Sequence, residues 1–328
     1  MYCCRVEKGG IELSLRYSVA IIDDNKLLYK NYKAVIDEYL SENGFDADVE
    51  HIPSEQDFDD FPLDKPSLFL VDLKFGQVDK GQIFIEKIRG DYLTDVLFYS
   101  SDHDAIDKYR SELGSQGIFF AERDELNDEV EPLLEKMLCK MIARSNAPRA
   151  TRGLVMECVA ELDDKIKEKI ILLLDKLPED HREKYYKDVI RIIKSSSDGR
   201  LNKLQQFFDV PFAEKRQNIL SSGISLDFSV PDLIENIRIT DSSKNLNFLL
   251  SLYCLHYGKN DLYEQIKQYE KLLQKRNILA HVSQVKEGDT YIFKSRDSGS
   301  PDYVLTDEEC LMLRKTILAL SDLLTHIN

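Results

Sequence analysis

From Tyr17 to Phe120, short apolar runs alternate with longer amphipathic stretches. Tyr17–Ile22, Val49–Ile52, Ser67–Val71, Asp95–Tyr99 and Gly117–Phe120 are each four to six residues long, and all but Val49–Ile52 are mostly apolar. A strand whose two faces are both covered has no polar side to show, so such runs predict a parallel sheet. The intervening pattern is helical, as in Lys26–Asn43 before Gly44 and in Gln82–Gly90. A Leu- and Met-rich helix over Leu126–Ala143 closes this part. The expected fold is an α/β doubly wound, five-stranded parallel sheet of flavodoxin-like type over residues 17–145.

The period then changes. Arg144–Arg149 is polar and holds Pro148, which predicts a linker. From Leu154 to Leu177 apolar residues recur at three- and four-residue intervals, the stripe of a packed helix. Further helices are expected near 179–194, 200–208, 231–237 and 243–257, and a long one from Asp261 to His281. Gly288–Phe293 and Asp302–Leu305 predict a small β-hairpin. Thr306 followed by Asp307, Glu308 and Glu309 fits a capped helix start. Residues 150–328 therefore read as an all-α helical domain with a small hairpin.

Composition narrows the setting. The net charge of −15 is uneven: residues 1–145 hold 17 basic and 31 acidic side chains, residues 146–328 hold 27 and 28. Only the second half can present a basic face to an anion. There is no apolar run long enough to span a bilayer and no secretory leader at the start, so a cytoplasmic protein without membrane association is expected. The six cysteines, Cys3, Cys4, Cys139, Cys158, Cys254 and Cys310, form no CxxC pair and suit free thiols.

Two constellations carry chemistry. Asp23 and Asp24 follow the first expected strand, and Asp72 follows the third. Carboxyl ends of neighbouring parallel strands lie together, and three carboxylates there repel one another unless a divalent cation intervenes. Such an oxygen-rich site suits Mg²⁺ on Asp23, Asp24 and Asp72, with Asp72 as a carboxylate nucleophile toward phosphorus. Ser100, ending the fourth strand, can contact the acquired oxygens. This ordered set, IIDD, LFLVDL and LFYSS with Gly81 beyond, resembles the receiver domains of bacterial response regulators. The resemblance implies Asp72 as phosphoacceptor and a sensor histidine kinase or other phosphodonor as partner. The family's lysine after the fifth strand is missing. Glu122 stands at that spacing with Arg123 next to it, and Arg123 is the expected substitute contact.

The second constellation is RNILAH at the end of the long helix. Asn277 and His281, four apart, share a face, and Arg276 lies one position around. A histidine that titrates near neutrality and a guanidinium fork together suit RNA cleavage without a metal or other cofactor. His281 is the expected acid or base, Arg276 the charge stabiliser and Asn277 the orienting group. The arrangement resembles the HEPN domains, whose ribonuclease members carry Arg-x4–6-His. It implies an endoribonuclease acting as a homodimer.

Joined, the halves suggest an effector in which phosphorylation of Asp72 controls RNA cleavage, in the manner of bacterial defence or stress pathways. In one route the acidic first half screens the Arg276 and His281 cleft. A non-enzymatic response regulator whose helical half binds a protein partner stays open, as does the less favoured DNA-binding reading. Weaker candidates are the basic series Lys184, Lys187, Arg191 and Lys194, and Tyr185 and Tyr186 as base-stacking rings. His256 reads as a helix-end residue.

Overall fold

The computed structural model describes residues 13–75, 78–79, 81–112, 117–124, 128–182, 184–189, 191–193, 195, 241–288, 290–294 and 301–327. Cys3, Cys4, Lys194 and the helices expected near 200–208 and 231–237 lie outside the described residues. The chain divides into two compact units. One comprises Ser14–Leu154 and Gln284–Lys315, and the other includes Val155–Ser283 and Thr316–Asn328.

The first unit is built on the strands β1 (Arg16–Ile22), β2 (Asp46–Ile52), β3 (Leu68–Asp72), β6 (Asp95–Ser100) and β7 (Ile118–Glu122). A two-residue ladder, β4 (Lys74–Phe75) with β5 (Val78–Asp79), follows β3. The sheet order is β2-β1-β3-β6-β7, and every pairing in it is parallel. Among the five sheet strands this is the order 2-1-3-4-5, in which the chain reverses direction across the sheet beside β1 and β3. The helices are α1 (Lys26–Glu42), α2 (Glu55–Asp59), α3 (Gly81–Asp91), α4 (His103–Glu112) and α5 (Val130–Asn146). Phe58, Phe84, Ile85, Ile88, Ile106 and Tyr109 from α2, α3 and α4 pack with Phe69, Val71, Val96 and Phe98 in one core. Helices α1 and α5 lie side by side. Burial on both faces is why β3 and β6 read as nearly unbroken apolar runs, whereas β2 is only partly buried and carries charged residues.

The break expected across residues 144–149 is a single residue. Ala147 takes an extended ψ of 136°, and Pro148 opens the next helix, α6 (Pro148–Asp175). Proline suits that place because the first helical turn needs no N–H from it. Gln284–Glu287 (β8), Thr290–Phe293 (β9) and Tyr303–Leu305 (β10) form an antiparallel sheet ordered β10-β9-β8. It therefore has one strand more than the expected hairpin, because the chain turns at Gly288 with φ +63°. Cysteine Cys310 and Arg314 belong to the last helix, Asp307–Thr325. Arg314, 3% exposed, donates from Nε to the Asn43 carbonyl (2.9 Å) and from Nη1 to Asn146 Oδ1 (2.8 Å), and its guanidinium lies over Phe45.

The second unit is helical. It takes most of α6, a helical stretch within 179–193, α7 (Ser242–Tyr257), α8 (Asp261–Lys267), α9 (Tyr269–His281) and the end of the last helix, α10 (Asp307–Thr325). Cys158, Leu162, Ile166, Ile170 and Leu173 bury the stripe read from sequence. The long helix expected over Asp261–His281 is two, broken at Gln268. No helix among the described residues is long and apolar enough to cross a membrane, and the described cysteines are free.

Candidate functional site

In the α/β unit the register sets the site. Val71 pairs with Ile22 on one side, and Asp72 pairs with Tyr99 on the other. Asp23, Asp72 and Tyr99 thus form a row across three adjacent strands. Asp23 and Asp72 are buried, and Asp24 is exposed.

Asp23 is fixed from three sides. Its Oδ2 accepts from the Tyr99 hydroxyl at 2.6 Å, and its Oδ1 from the Asn25 N–H at 2.7 Å. His51 Nε2 lies 2.9 Å from its carbonyl oxygen, with the imidazole stacked on Tyr29. Asn25 meanwhile caps α1, its side chain accepting from the Leu27 N–H, so the turn that positions Asp23 also starts the helix.

Asp72 Oδ1 accepts the Lys74 N–H at 3.1 Å. Its Oδ2 lies 3.8 Å from Arg123 Nη1. Burial, and then the charge of Asp23, push the Asp72 carboxyl up to about 7, against the pull of Arg123. Burial likewise raises Asp23, although Tyr99 and Asn25 oppose it. Ser100 Oγ is buried and accepts the Asp102 N–H at 3.1 Å. Glycine is required at 81: a Cβ there would stand 2.5 Å from the Asp72 carbonyl oxygen and 2.7 Å from Leu73 Cα.

Glu122, at the spacing of the absent lysine, pairs with His103, with Oε2 and Nδ1 2.5 Å apart. That partnership raises the His103 pKa. Lys74 pairs with Asp102. Among the described residues, Arg123 is the cation paired with Asp72.

A divalent cation at this row would meet oxygen donors alone. Asp23, Asp24 and Asp72 are the groups that would hold it. Among the described residues, no three His, Cys, Asp or Glu side chains are already gathered as a ligand cage.

One residue at this site escapes sequence reasoning. Tyr99 lies inside an apolar strand and reads as core, and its only signal is that a buried phenol needs a partner for its hydroxyl. Tyr32, at 2% exposure, packs edge-on against Tyr99, and its hydroxyl has no hydrogen-bond partner among the described residues.

In the helical unit, Arg276 turns inward. Its Nη2 donates to Ser242 Oγ at 3.0 Å, and that hydroxyl donates to Asp163 Oδ2. The Tyr269 hydroxyl donates to Asp163 Oδ1 at 2.8 Å. Burial raises the Asp163 pKa, which Ser242, Tyr269 and Arg276 each pull down. Asn277 and His281 are exposed, and Asn277 lines a groove of about 200 Å³ with Ser243, Asn247, Glu270, Leu273 and Gln274. The three residues thus share a helix end, and within one chain Arg276 is directed elsewhere. Tyr185 is wholly buried with its hydroxyl on the Phe248 carbonyl, so it cannot stack a base. His256 bonds the Leu173 carbonyl, as fits a helix-end residue.

No protein-family model matches the chain, and no curated protein matches it. Among solved structures it is similar to the signal receiver domain of a DNA-binding response regulator protein from Colwellia psychrerythraea 34H. The identity is 17%, over 39% of this chain and 98% of that one, with a TM-score of 0.30.

Proposed function

We propose that the α/β unit is a phosphoacceptor module of receiver type, in which a phosphodonor such as a sensor histidine kinase modifies Asp72. The observation that carries this reading is the state of Asp72: buried at the carboxyl end of the central strand, one oxygen tied to Lys74, the other facing Arg123. Asp72 Oδ2 attacks phosphorus, the bond from phosphorus to the leaving atom breaks with its electron pair, and an acyl phosphate remains. Arg123 and Ser100 take the phosphoryl oxygens. Mg²⁺ held by Asp23, Asp24 and Asp72 would supply charge neutralisation at the phosphoryl group. The departure from the receiver lysine is accommodated because Glu122 is occupied by His103. Incubation with acetyl phosphate followed by phosphate-affinity electrophoresis tests the reading. A shifted band in wild type that is absent from Asp72→Ala is expected, and equal labelling of both removes it.

The helical unit is the output half in this reading. Metal-independent RNA cleavage by His281, Asn277 and Arg276 of paired copies is supported by the exposure of Asn277 and His281 on one helix face. It requires Arg276 to leave Ser242. The inward Arg276 favours the second reading, an output half that binds a protein partner without cutting RNA. Total RNA incubated in EDTA with wild type and His281→Ala separates them: cleavage lost in the variant supports the nuclease, and no cleavage by wild type supports the partner.

A further inference from the structure

A site that accepts a phosphoryl group must admit an anion, and Glu122 places a negative charge at its rim. Glu122 pairs in register with Ser100, and β7 lies two strands from β3, which ends at Asp72. Two strand spacings are about 10 Å. An uncompensated charge at that distance slows an incoming anion severalfold. His103, which opens α4, meets the glutamate, with Nδ1 2.5 Å from Glu122 Oε2. The two side chains are 54% and 27% exposed, so the contact does not fill a core. Around it the charges are mostly acidic. Asp104 on α4, Asp102 before that helix and Asp124 after β7 all act on His103 or are acted on by it. Glu129 Oε2 accepts the Glu122 N–H at 3.4 Å. Lys74 is bound to Asp102, and Arg123 is paired with Asp72. The bond to Glu122 first, and then these carboxylates, raise the His103 pKa and favour the imidazolium.

We infer that His103 is a positioning residue for the phosphoacceptor site: as imidazolium it cancels the charge of Glu122, and on losing its proton it slows phosphoryl transfer to Asp72. The inference rests on the reading of Asp72 as phosphoacceptor, and it adds a control separate from the ionisation of Asp72. The two controls oppose each other, since rising pH supplies the Asp72 carboxylate and removes the imidazolium. A neutral imidazole can keep a hydrogen on Nδ1 for the same bond. Deprotonation therefore changes the charge of the pair and leaves its contact in place.

The test is the initial rate of Asp72 phosphorylation by acetyl phosphate at low ionic strength. Phosphate-affinity electrophoresis reads it for the full chain as wild type, His103→Gln and His103→Gln with Glu122→Gln. Each rate is taken relative to wild type at the same pH, so the ionisation of Asp72 and of the donor cancels. At about pH 6, with wild-type His103 protonated, His103→Gln is expected to be about three- to tenfold slower. The double variant is expected within about twofold of wild type there, because it removes both charges. At about pH 9, with the imidazole neutral, the wild-type advantage over His103→Gln is expected to vanish. Equal rates at the lower pH, a ratio that ignores pH, or no rescue in the double variant each overturn the inference and leave Asp72 standing as phosphoacceptor. Wild type that takes no label, or Asp72→Ala labelled equally, overturns both. NMR titration of the imidazoles supplies a second measurement. The His103 midpoint is expected to fall in Glu122→Gln, and an unmoved midpoint overturns the inference.

Discussion

Arg123 Nη1 stands 3.8 Å from Asp72 Oδ2, is buried, and has no hydrogen-bond partner among the described residues. The separation is too long for a direct hydrogen bond, and the guanidinium keeps donor capacity in reserve. Phosphoryl oxygens on Asp72 would meet that capacity. In the proposed receiver-type site, Arg123 would take the part expected of a lysine at the preceding position.

Replacing Arg123 by Gln is accordingly expected to lower the initial rate of Asp72 phosphorylation by acetyl phosphate by roughly 10- to 100-fold, the cost of a charge-assisted hydrogen bond. Glu122→Gln is expected to leave that rate within about twofold, because Glu122 serves His103. Phosphate-affinity electrophoresis of timed samples reads both, and a larger loss in Glu122→Gln would reverse the assignment.

The raised carboxyl of Asp72 gives a pH signature. The folded chain keeps a proton there up to about pH 7, whereas the unfolded chain releases it near pH 4. Stability is therefore lost as pH rises from about 4 to 7. Asp72→Asn, which cannot ionise, is expected to match wild type at pH 4 and to exceed it at pH 8 by about 1–3 kcal/mol. Urea melts at the two pH values check this, and a difference independent of pH would contradict it.

Gly81→Ala is expected to be costly, because two of the three atoms nearest the added methyl are backbone atoms of Asp72 and Leu73. A loss of about 1–3 kcal/mol is expected by urea denaturation. Gly90, with open space around it, serves as the control: Gly90→Ala on α3 should be neutral or slightly stabilising.

In the helical unit the prediction separates structure from chemistry. Arg276→Ala removes a donor to Ser242 and a counter-charge to the half-buried Asp163, and is expected to cost about 1–2 kcal/mol. His281→Ala, at an exposed position, is expected to leave the melting temperature within about 1 °C. Equal melting temperatures for wild type and Arg276→Ala would mean that the arginine is free of its structural post.

The central strands β3 and β6 were the most legible, because burial on both faces forces an apolar composition. The placement of Asp23, Asp72 and Ser100 was legible because strand ends in such sheets converge. Arg276 was harder. A step of one residue turns a helix by about 100°, so sharing a motif with Asn277 does not make Arg276 share its face. The break at Gln268 was hidden because the apolar positions Ile266, Tyr269 and Leu273 keep a helical spacing across it. Tyr99 was hidden because a tyrosine suits a strand core equally well with or without a special acceptor.

The clasp made by Arg314 bears on how this molecule can be taken apart. Its guanidinium satisfies the Asn43 carbonyl just past α1 and the Asn146 amide at the end of α5, and covers the Phe45 ring. A polypeptide cut after residue 146 would forfeit all three at once and expose an aromatic edge beside its parallel sheet. Proteolysis or gene dissection aimed at Pro148 should therefore yield a wounded sheet fragment, one that regains its composure only when residues 284–315 are supplied in trans.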